Sequence, residues 1–195
     1  MSVRHISVDI EADGPYPGEY SMIELGACVV EDMEQRFITQ LAPISETWNP
    51  DSLAVSGYTR EETERFIDAE TAISDFVNWL YEVSDQRKHR VVFVSDNPVF
   101  DGMFVWYYLG RFYCEPLDMK NPFGYSGVSI TSLYKGYECD MGARFHYLRR
   151  TKHTHNALED AVGNAEALGR IFRKMDAGKR MKEKIKNGEF VPKGA

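Results

Sequence analysis

Two carboxylates near the start of the chain, Asp9 and Glu11, are separated by one residue in an apolar stretch that predicts a strand over residues 3–10. Side chains alternate across a strand, so residues two apart point to the same side. We therefore expect Asp9 and Glu11 to converge, and their charges repel unless a cation lies between them. The simpler alternative is a solvated acidic pair at the end of a strand.

A third carboxylate, Asp101, follows an apolar stretch that predicts a buried strand over residues 91–94. Asn97 suits an N-cap and Pro98 the first helical position, so we expect a helix from there to about residue 109, with Gly110 ending it. Asp101 then lies just beyond the carboxyl end of a strand, where open α/β sheets place their sites. Interaction with the helix dipole is the structural alternative.

A histidine and a fourth carboxylate, His155 and Asp160, flank the start of a helix predicted over about residues 156–172. Asn156 and Glu159 have the spacing of a capping box, which gives Glu159 a structural role. Asp160 is close enough to His155 along the chain to face the same cleft. A basic run with interleaved aromatic residues precedes them. It is either a solvated face or a candidate for holding phosphates, and it comprises Arg144, Phe145, Tyr147, Arg149, Arg150 and Lys152.

The apolar patterns between these positions predict an α/β protein. Strands over residues 22–30 and 36–41 follow the first strand through short links, which indicates an antiparallel meander. An amphipathic helix over residues 71–83 precedes the strand at 91–94, and residues 128–134 predict a strand passing into a helical turn. We expect a mixed sheet of about five strands flanked by helices. Glu24, in apolar surroundings, is expected to make a structural hydrogen bond.

Charge is distributed unevenly along the 195 residues, whose formal net charge is −7. Residues 1–169 contain 14 Lys and Arg against 27 Asp and Glu, whereas residues 170–195 contain nine against three. An acidic body argues against a general electrostatic grip on a long polyanion. We therefore predict one domain over residues 1–172 and a basic tail over 173–195, which is either a solvated helix end or a strand or partner contact.

No apolar run approaches the roughly 18 residues needed to cross a bilayer, and no signal peptide opens the sequence. The three cysteines, Cys28, Cys114 and Cys139, lie far apart without metal-binding spacing, which predicts buried reduced thiols. Together these features predict a cytoplasmic protein with no membrane partner.

Three short motifs span residues 3 to about 172 and resemble, in this order, the exonuclease motifs of the DEDDh family of ribonuclease H-like 3′→5′ exonucleases. They are Asp9-x-Glu11, Asn97-x-x-Phe100-Asp101 and His155-x-Ala157-x-x-Asp160. Each motif alone is modest evidence, but three motifs on the expected strands and helices are specific.

The resemblance implies a ribonuclease H-like fold and two divalent cations, Mg²⁺ or Mn²⁺. It implies that Asp9, Glu11 and Asp160 hold the first ion, and that Asp9 bridges to the second, which Asp101 supports. It also implies that His155 is the general base. Two-metal sites of this kind activate water and neutralise charge during phosphodiester hydrolysis, and an imidazole titrates in the range that a base near neutral pH requires.

The resemblance thus predicts a metal-dependent exonuclease that releases nucleoside 5′-monophosphates from the 3′ end of single-stranded DNA or RNA. One alternative is an oligoribonuclease-like, RNA-trimming enzyme. Another is a non-catalytic nucleic-acid-binding or polymerase-associated module on the same fold. The sequence does not determine a polymerase or homo-oligomer partner.

Three segments depart from the usual family pattern at places that contact the terminal nucleotide in the family. Asp96 stands where many members have His before the motif Asn. Residues 12–14 (Ala-Asp-Gly) replace a Thr-rich turn, and residues 129–133 (Ser-Ile-Thr-Ser-Leu) replace a segment in which many members carry Asp. None of these departures removes a candidate catalytic group, so they bear on substrate preference.

Overall fold

A five-stranded sheet in the order β3-β2-β1-β4-β5 lies at the centre of the computed structural model, which describes residues 3–187 without the side chains of residues 181, 182, 184 and 185. The strands are β1 (Val3–Ala12), β2 (Met22–Val29), β3 (Asp32–Gln40), β4 (Arg90–Ser95) and β5 (Gly127–Ser129). The first three strands are antiparallel, and β4 runs parallel to both β1 and β5. This arrangement confirms the predicted mixed sheet and its antiparallel meander.

Helices cover both faces of the sheet. They are α1 (Pro50–Ser56), α2 (Arg60–Thr63), α3 (Ala69–Val83), α4 (Asp101–Leu109), α5 (Glu115–Leu117), α6 (Ile130–Glu138) and α7 (Ala157–Lys186), with a π-helical turn at Gly110–Cys114 and a 3₁₀ turn at His146–Leu148. Within residues 3–187, no helix is long and apolar enough to cross a membrane.

The alternation of side chains along β1 separates the core from the site. Ile6, Val8 and Ile10 are buried in one hydrophobic cluster together with residues of α3 and α4. Asp9 and Glu11 therefore point to the opposite face of the sheet, on which α7 and α6 pack around a second cluster. The alternation of side chains along β1 thus places its two carboxylates on the face of the sheet that α7 covers.

A glycine on β2 allows the start of α7 to approach the sheet closely. Gly26 lies opposite Asp9 in the antiparallel register. A Cβ atom on Gly26 would lie 2.2 Å from the carbonyl carbon of Ala157 and 2.3 Å from the nitrogen of Leu158. Any larger residue would displace the helix, so Gly26 sets the distance between Asp9 and the segment that carries His155 and Asp160.

Glu24 has the structural role expected for it. One of its carboxylate oxygens accepts the backbone N–H of Ala157 at 2.8 Å, at the first residue of α7. The other accepts the hydroxyl of Tyr58 at 2.5 Å and the amide of Gln40 at 3.3 Å. Because a carboxylate at a helix N-terminus satisfies a free N–H and meets the positive end of the dipole, Glu24 fastens α7 to the sheet.

The start of α4 differs from the prediction. The helix begins at Asp101, and Asn97 is not its N-cap. The backbone carbonyl of Asn97 accepts the N–H groups of Phe100 at 2.9 Å and Asp101 at 3.0 Å, so a hydrogen-bonded turn precedes the helix. The prediction failed because a backbone carbonyl, which every residue possesses, makes the bonds assigned to the side chain.

The end of α4 also differs, because Gly110 does not terminate the helical segment. Gly110 has a right-handed φ of −57° and opens the π-helical turn, which continues into α5. The chain leaves the helical conformation at Asp118, whose φ is +49°. Tyr113 is buried in the main cluster and Phe112 packs against it, so the apolar surface that stabilises the segment extends beyond the glycine.

The last helix, α7, extends 14 residues past its predicted end at 172, to Lys186. The capping box forms by half: the side chain of Asn156 accepts the N–H of Glu159 at 3.0 Å, but the Glu159 carboxylate accepts the Thr154 hydroxyl at 2.6 Å. The predicted division between domain and basic tail falls inside this helix. Residues 173–180 are exposed, and the part of the tail from 188 to 195 lies outside the described residues.

Only one of the three cysteines is fully buried, whereas all three were predicted to be. Cys28 is buried in the core beneath α7, as expected, but Cys114 is half-buried and Cys139 is exposed. Cys139 terminates α6 with a left-handed φ of +53°, a position at the surface that the spacing of the cysteines could not reveal.

Candidate active site

The structure brings all five predicted site residues to one cleft. Oxygen atoms of Asp9, Glu11 and Asp160 lie within 4.8 Å of one another. Asp101 and His155 line the same cleft as Asp9 and Glu11. The volume of this cleft is about 510 Å³. The strand β1 supplies the first pair of carboxylates, the start of α4 supplies Asp101, the loop before α7 supplies His155, and the first turn of α7 supplies Asp160.

The carboxylates of β1 are crowded by other acids. Neither Asp9 nor Glu11 receives a hydrogen bond on its carboxylate among the described residues. Burial raises the pKa of Glu11 to about 8, and the charge of Glu24, directly opposite on β2, adds to this effect. The pKa of Asp9 is also raised, first by burial and then by the charge of Asp101.

Asp101 shows the same tendency. Burial raises its pKa to about 7, and the charge of Asp96 adds to that rise, although the polar groups of Ser95 and of the Asn97 backbone oppose it. Three converging carboxylates with raised pKa values form a site in which negative charge is incompletely compensated. Their oxygen atoms are the ligands that hard divalent ions prefer, so the residues present fit such an ion.

Asp160 differs from the other acids of the cluster, because its carboxylate is surrounded by donors. One of its oxygens lies 2.5 Å from Nη2 of Arg149 and 2.8 Å from Nδ1 of His153. The other accepts the backbone N–H of His155 at 2.9 Å. Burial acts to raise the pKa of Asp160, but the hydrogen bonds and charges of His153 and Arg149 prevail and lower it.

The side chain of Arg149 is not part of a basic surface, although Arg149 belongs to the basic run in the sequence. Its side chain is only 8% exposed and faces the carboxylates, so it is not placed on the surface to hold phosphates. A Cβ on Gly163 would lie 2.3 Å from Nε of Arg149, which shows that this glycine of α7 leaves room for the guanidinium. Arg144, Arg150 and Lys152 are exposed and remain candidates for contact with phosphates.

His153 is a site residue that the sequence analysis missed. Its ring centroid lies 4.3 Å from that of His155, and its Nδ1 contacts Asp160. His155 itself has a left-handed φ of +57°. The spacing of two residues was visible in the sequence, but residues 149–156 form an aperiodic loop, so no pattern predicted that both imidazoles would lie beside Asp160.

Two of the departures from the family pattern contact each other. The carboxylate of Asp96 accepts the hydroxyl of Thr131, and its backbone carbonyl accepts the hydroxyl of Ser129 at 3.4 Å. Nε2 of His146, from the 3₁₀ turn, lies 3.7 Å from the same carboxylate. Asp96 lines the cleft beside Asn97. The unusual residues therefore form one connected group at the edge of the site.

The third departure stabilises the loop after β1. Asp13 is fully buried, accepts the N–H of Ser21 at 2.5 Å and pairs with Arg60 at 3.0 Å. Burial raises the pKa of Asp13, although both of these partners oppose the rise. The ring of Tyr20 occupies the space where a side chain on Gly14 would lie. Because this loop forms part of the cleft wall, Asp13 and Arg60 position that wall.

No protein-family model matches the chain. The 3′-5′ DNA exonuclease Cap18 of Escherichia coli is 33% identical over 187 residues, which cover 90% of this chain and 95% of Cap18.

Two solved structures illustrate the similarity of fold. The nuclease domain of 3′hExo, a DEDDh family member bound to rAMP, matches with a TM-score of 0.68 at 15% identity, over 89% of this chain and 93% of that one. The zinc-bound complex of E. coli ExoI with single-stranded DNA matches with a TM-score of 0.66 at 13% identity, over 87% and 40%. At these identities the structural matches concern the fold alone.

Proposed function

This chain belongs to the DEDDh family of 3′→5′ exonucleases, and we propose that it hydrolyses single-stranded nucleic acid from the 3′ end and releases nucleoside 5′-monophosphates. The observation that carries the proposal is the convergence of Asp9, Glu11 and Asp160 at a cleft that Asp101 and His155 also line. A structural cluster of acids would be expected to contain donors for each carboxylate, and within residues 3–187 no hydrogen bond to the carboxylate of Asp9 or Glu11 is found.

Enzymes of this family use divalent metal ions, and we assign Mg²⁺, with Mn²⁺ as a substitute, to this cluster. Asp9, Glu11 and Asp160 would hold the first ion, and Asp9 with Asp101 would serve the second. When bound, such ions neutralise the scissile phosphate and lower the pKa of the attacking water. The raised pKa values of Asp9, Glu11 and Asp101 support the assignment, because these carboxylates need a cation to remain ionised together at neutral pH.

His155 is proposed as the general base that takes the proton of the attacking water. Its backbone N–H donates to Asp160, which fixes the residue beside the cluster, and its exposed ring faces the cleft. Exposure lets the imidazole release the proton to solvent after each turnover. The ring of His153 lies against that of His155, and we propose that it restricts the orientation of the base.

Single-stranded DNA is the proposed preferred substrate. Cap18, a DNA exonuclease, is similar to this chain over nearly its whole length. Pro15, Val55 and Phe100 line the cleft next to the carboxylates and offer an apolar wall for the terminal nucleoside. The exposed side chains of Arg150 and Lys152 are positioned on the loop before α7, where they can contact phosphates further along the strand.

The non-catalytic alternative is not supported, because the relative and the structural neighbours are exonucleases. An oligoribonuclease-like preference for short RNA remains the alternative to DNA. A cytoplasmic location, the division at residue 172 and a polymerase or homo-oligomer partner stay predictions.

The proposal is tested by a time course on matched 5′-labelled single-stranded DNA and RNA, in Mg²⁺, in Mn²⁺ and in EDTA. We expect a metal-dependent ladder that shortens from the 3′ end, faster on DNA. Asp160→Asn serves as the inactive control, and its folding is checked by circular dichroism. Faster degradation of RNA would select the oligoribonuclease-like alternative, and equal hydrolysis in EDTA would exclude the metal assignment.

A further inference from the structure

A second cavity, of about 200 Å³, lies at the opposite end of β4 from the carboxylate cleft. Leu80, Val91 and Pro122 are among the apolar residues of its floor, and none of the described residues that line it is acidic. The cavity lies at the start of β4, whereas the site lies beyond its end. A six-residue strand separates the two by about 17 Å at 3.3 Å per residue.

Three cations that face this cavity have no carboxylate partner. Arg87, Arg90 and Lys120 line it, and none of them forms an ion pair within the described part of the chain. Lys88, by contrast, lies in the same basic turn, does not line the cavity and pairs with Asp85 at 2.9 Å. In a chain of net charge −7, three uncompensated cations around one concavity indicate a place for an anion.

The turn that carries Arg87 is held in an unusual conformation. Asp85, Gln86 and Arg87 are three successive non-glycine residues with left-handed φ values of 49°, 54° and 69°. The N–H of Gln86 donates to the carbonyl of Tyr81 at 2.8 Å, and the Arg87 guanidinium lies 4.5 Å from the centre of the Tyr81 ring, where it also donates to the Tyr81 hydroxyl. Backbone strain of this kind persists where surrounding contacts enforce it, and it concentrates at ligand clamps.

We propose that this cavity binds a nucleoside monophosphate. The phosphate dianion would contact Arg90 and Lys120, with Arg87 beside them, and the base would cover the apolar floor. Inorganic phosphate would leave the floor exposed to water, and an uncharged nucleoside would leave the cations without a partner. The inference rests on the cavity and its charges, and it holds whether or not the proposed exonuclease reaction releases such molecules.

The test is isothermal titration calorimetry of the full-length chain with dTMP, thymidine and inorganic phosphate. It uses the Asp9→Asn background in EDTA, so that no metal in the carboxylate cleft holds a phosphate. We expect dTMP to bind at least about tenfold more tightly than thymidine or phosphate, since each of these probes lacks one of the two kinds of contact. Equal affinity of phosphate and dTMP would overturn the assignment of a nucleotide.

A pair of charge reversals locates the binding. Lys120→Glu should weaken dTMP binding by about tenfold or more, since it removes a charge-assisted hydrogen bond and introduces repulsion. Lys88→Glu makes the same change in net charge outside the cavity and should leave the dissociation constant within about twofold. Thermal unfolding verifies that both variants fold. Undiminished binding by Lys120→Glu, or equal losses in both variants, would overturn the proposal.

Amide resonances give an independent result. On addition of dTMP, residues 84–91, 120 and 121 should shift in a ¹⁵N correlation spectrum, while residues 9–14 and 153–160 should not. Shifts confined to the second group would place the nucleotide in the carboxylate cleft and overturn the proposal. Loss of exonuclease activity is not a readout in either experiment, so failure here is distinguishable from failure of the proposed function.

Discussion

Two groups of acids near the cleft, each at least partly buried, differ in the donors that surround them. Asp13 and Glu24 each receive hydrogen bonds on both carboxylate oxygens, from backbone, hydroxyl, amide or guanidinium groups. Asp9 and Glu11, both on β1, receive no such hydrogen bonds from the part of the chain that the structure describes. Burial alone therefore does not distinguish a functional carboxylate from a structural one in this protein, but the shortage of donors sets Asp9 and Glu11 apart from Asp13 and Glu24.

A single substitution at Asp9 should change activity and stability in opposite directions. Asp9→Asn should abolish hydrolysis, because the residue is proposed to contact both ions. The same change should raise the melting temperature in EDTA, because it removes a charge that repels Asp101 and Asp160. Rates in Mg²⁺ and melting curves in EDTA measure the two effects. Full activity of this variant would exclude the metal assignment, and a lower melting temperature would contradict the repulsion.

His155→Ala should slow the chemical step by about 10²–10⁴-fold, the usual contribution of a general base. Single-turnover rates on labelled DNA measure this step apart from binding. His153→Ala is the matched control, since it removes the neighbouring imidazole, and a smaller loss is expected because that ring contacts Asp160 instead. A change confined to KM in His155→Ala would show that His155 only positions the substrate.

Loss of a donor to Asp13, one of the paired acids, should destabilise the fold. Arg60→Met should lower the free energy of unfolding by about 3 kcal/mol, since it leaves the buried Asp13 carboxylate without its cation. Chemical denaturation measures this loss. Arg65→Met is the control, because Arg65 is 71% exposed and pairs with a side chain that is 79% exposed, and such surface pairs contribute little. Equal losses in the two variants would remove the distinction between structural and solvated pairs.

The pH dependence of stability also reports on the unpaired acids. In the folded state the pKa values of Glu11 and Asp101 are about 8 and about 7, above the unfolded values of about 4.3 and 3.9. Between these limits the folded protein binds more protons than the unfolded chain, so stability falls as the pH rises from about 5 to 8. Melting temperatures in EDTA should decline over this range, and Mg²⁺ should reduce the decline. A flat profile in EDTA would contradict the raised pKa values.

Sequence patterns were sufficient where a regular element carries a residue. The two-residue period of β1 predicted that Asp9 and Glu11 converge, and the apolar period of α7 predicted its packing against the sheet. They were insufficient where a loop or a single backbone group decides the position. The inward direction of Arg149 depends on an aperiodic loop and on the space left by Gly163, and the turn at Asn97 depends on its carbonyl group.

Asp160 connects the two groups, since it is a proposed metal ligand that already has a cationic partner. Arg149 and a divalent ion compete for the same negative charge, and two unit charges 4 Å apart interact by about 4 kcal/mol near a protein surface. Arg149→Met should therefore bind Mg²⁺ more tightly, by about tenfold, and should be less stable than the parent protein in EDTA. Calorimetric titration of Mg²⁺ and melting curves in EDTA measure both effects.

Arg150→Met is the matched control for this comparison, because its side chain is exposed and only its backbone N–H holds Glu166. Neither Mg²⁺ affinity nor stability in EDTA should change much in this variant. If Arg149→Met bound Mg²⁺ more weakly, the guanidinium would act by orienting Asp160 as a ligand. Asp160 would then resemble Asp13 and Glu24, as an acid whose donors set its geometry, although it is a proposed metal ligand.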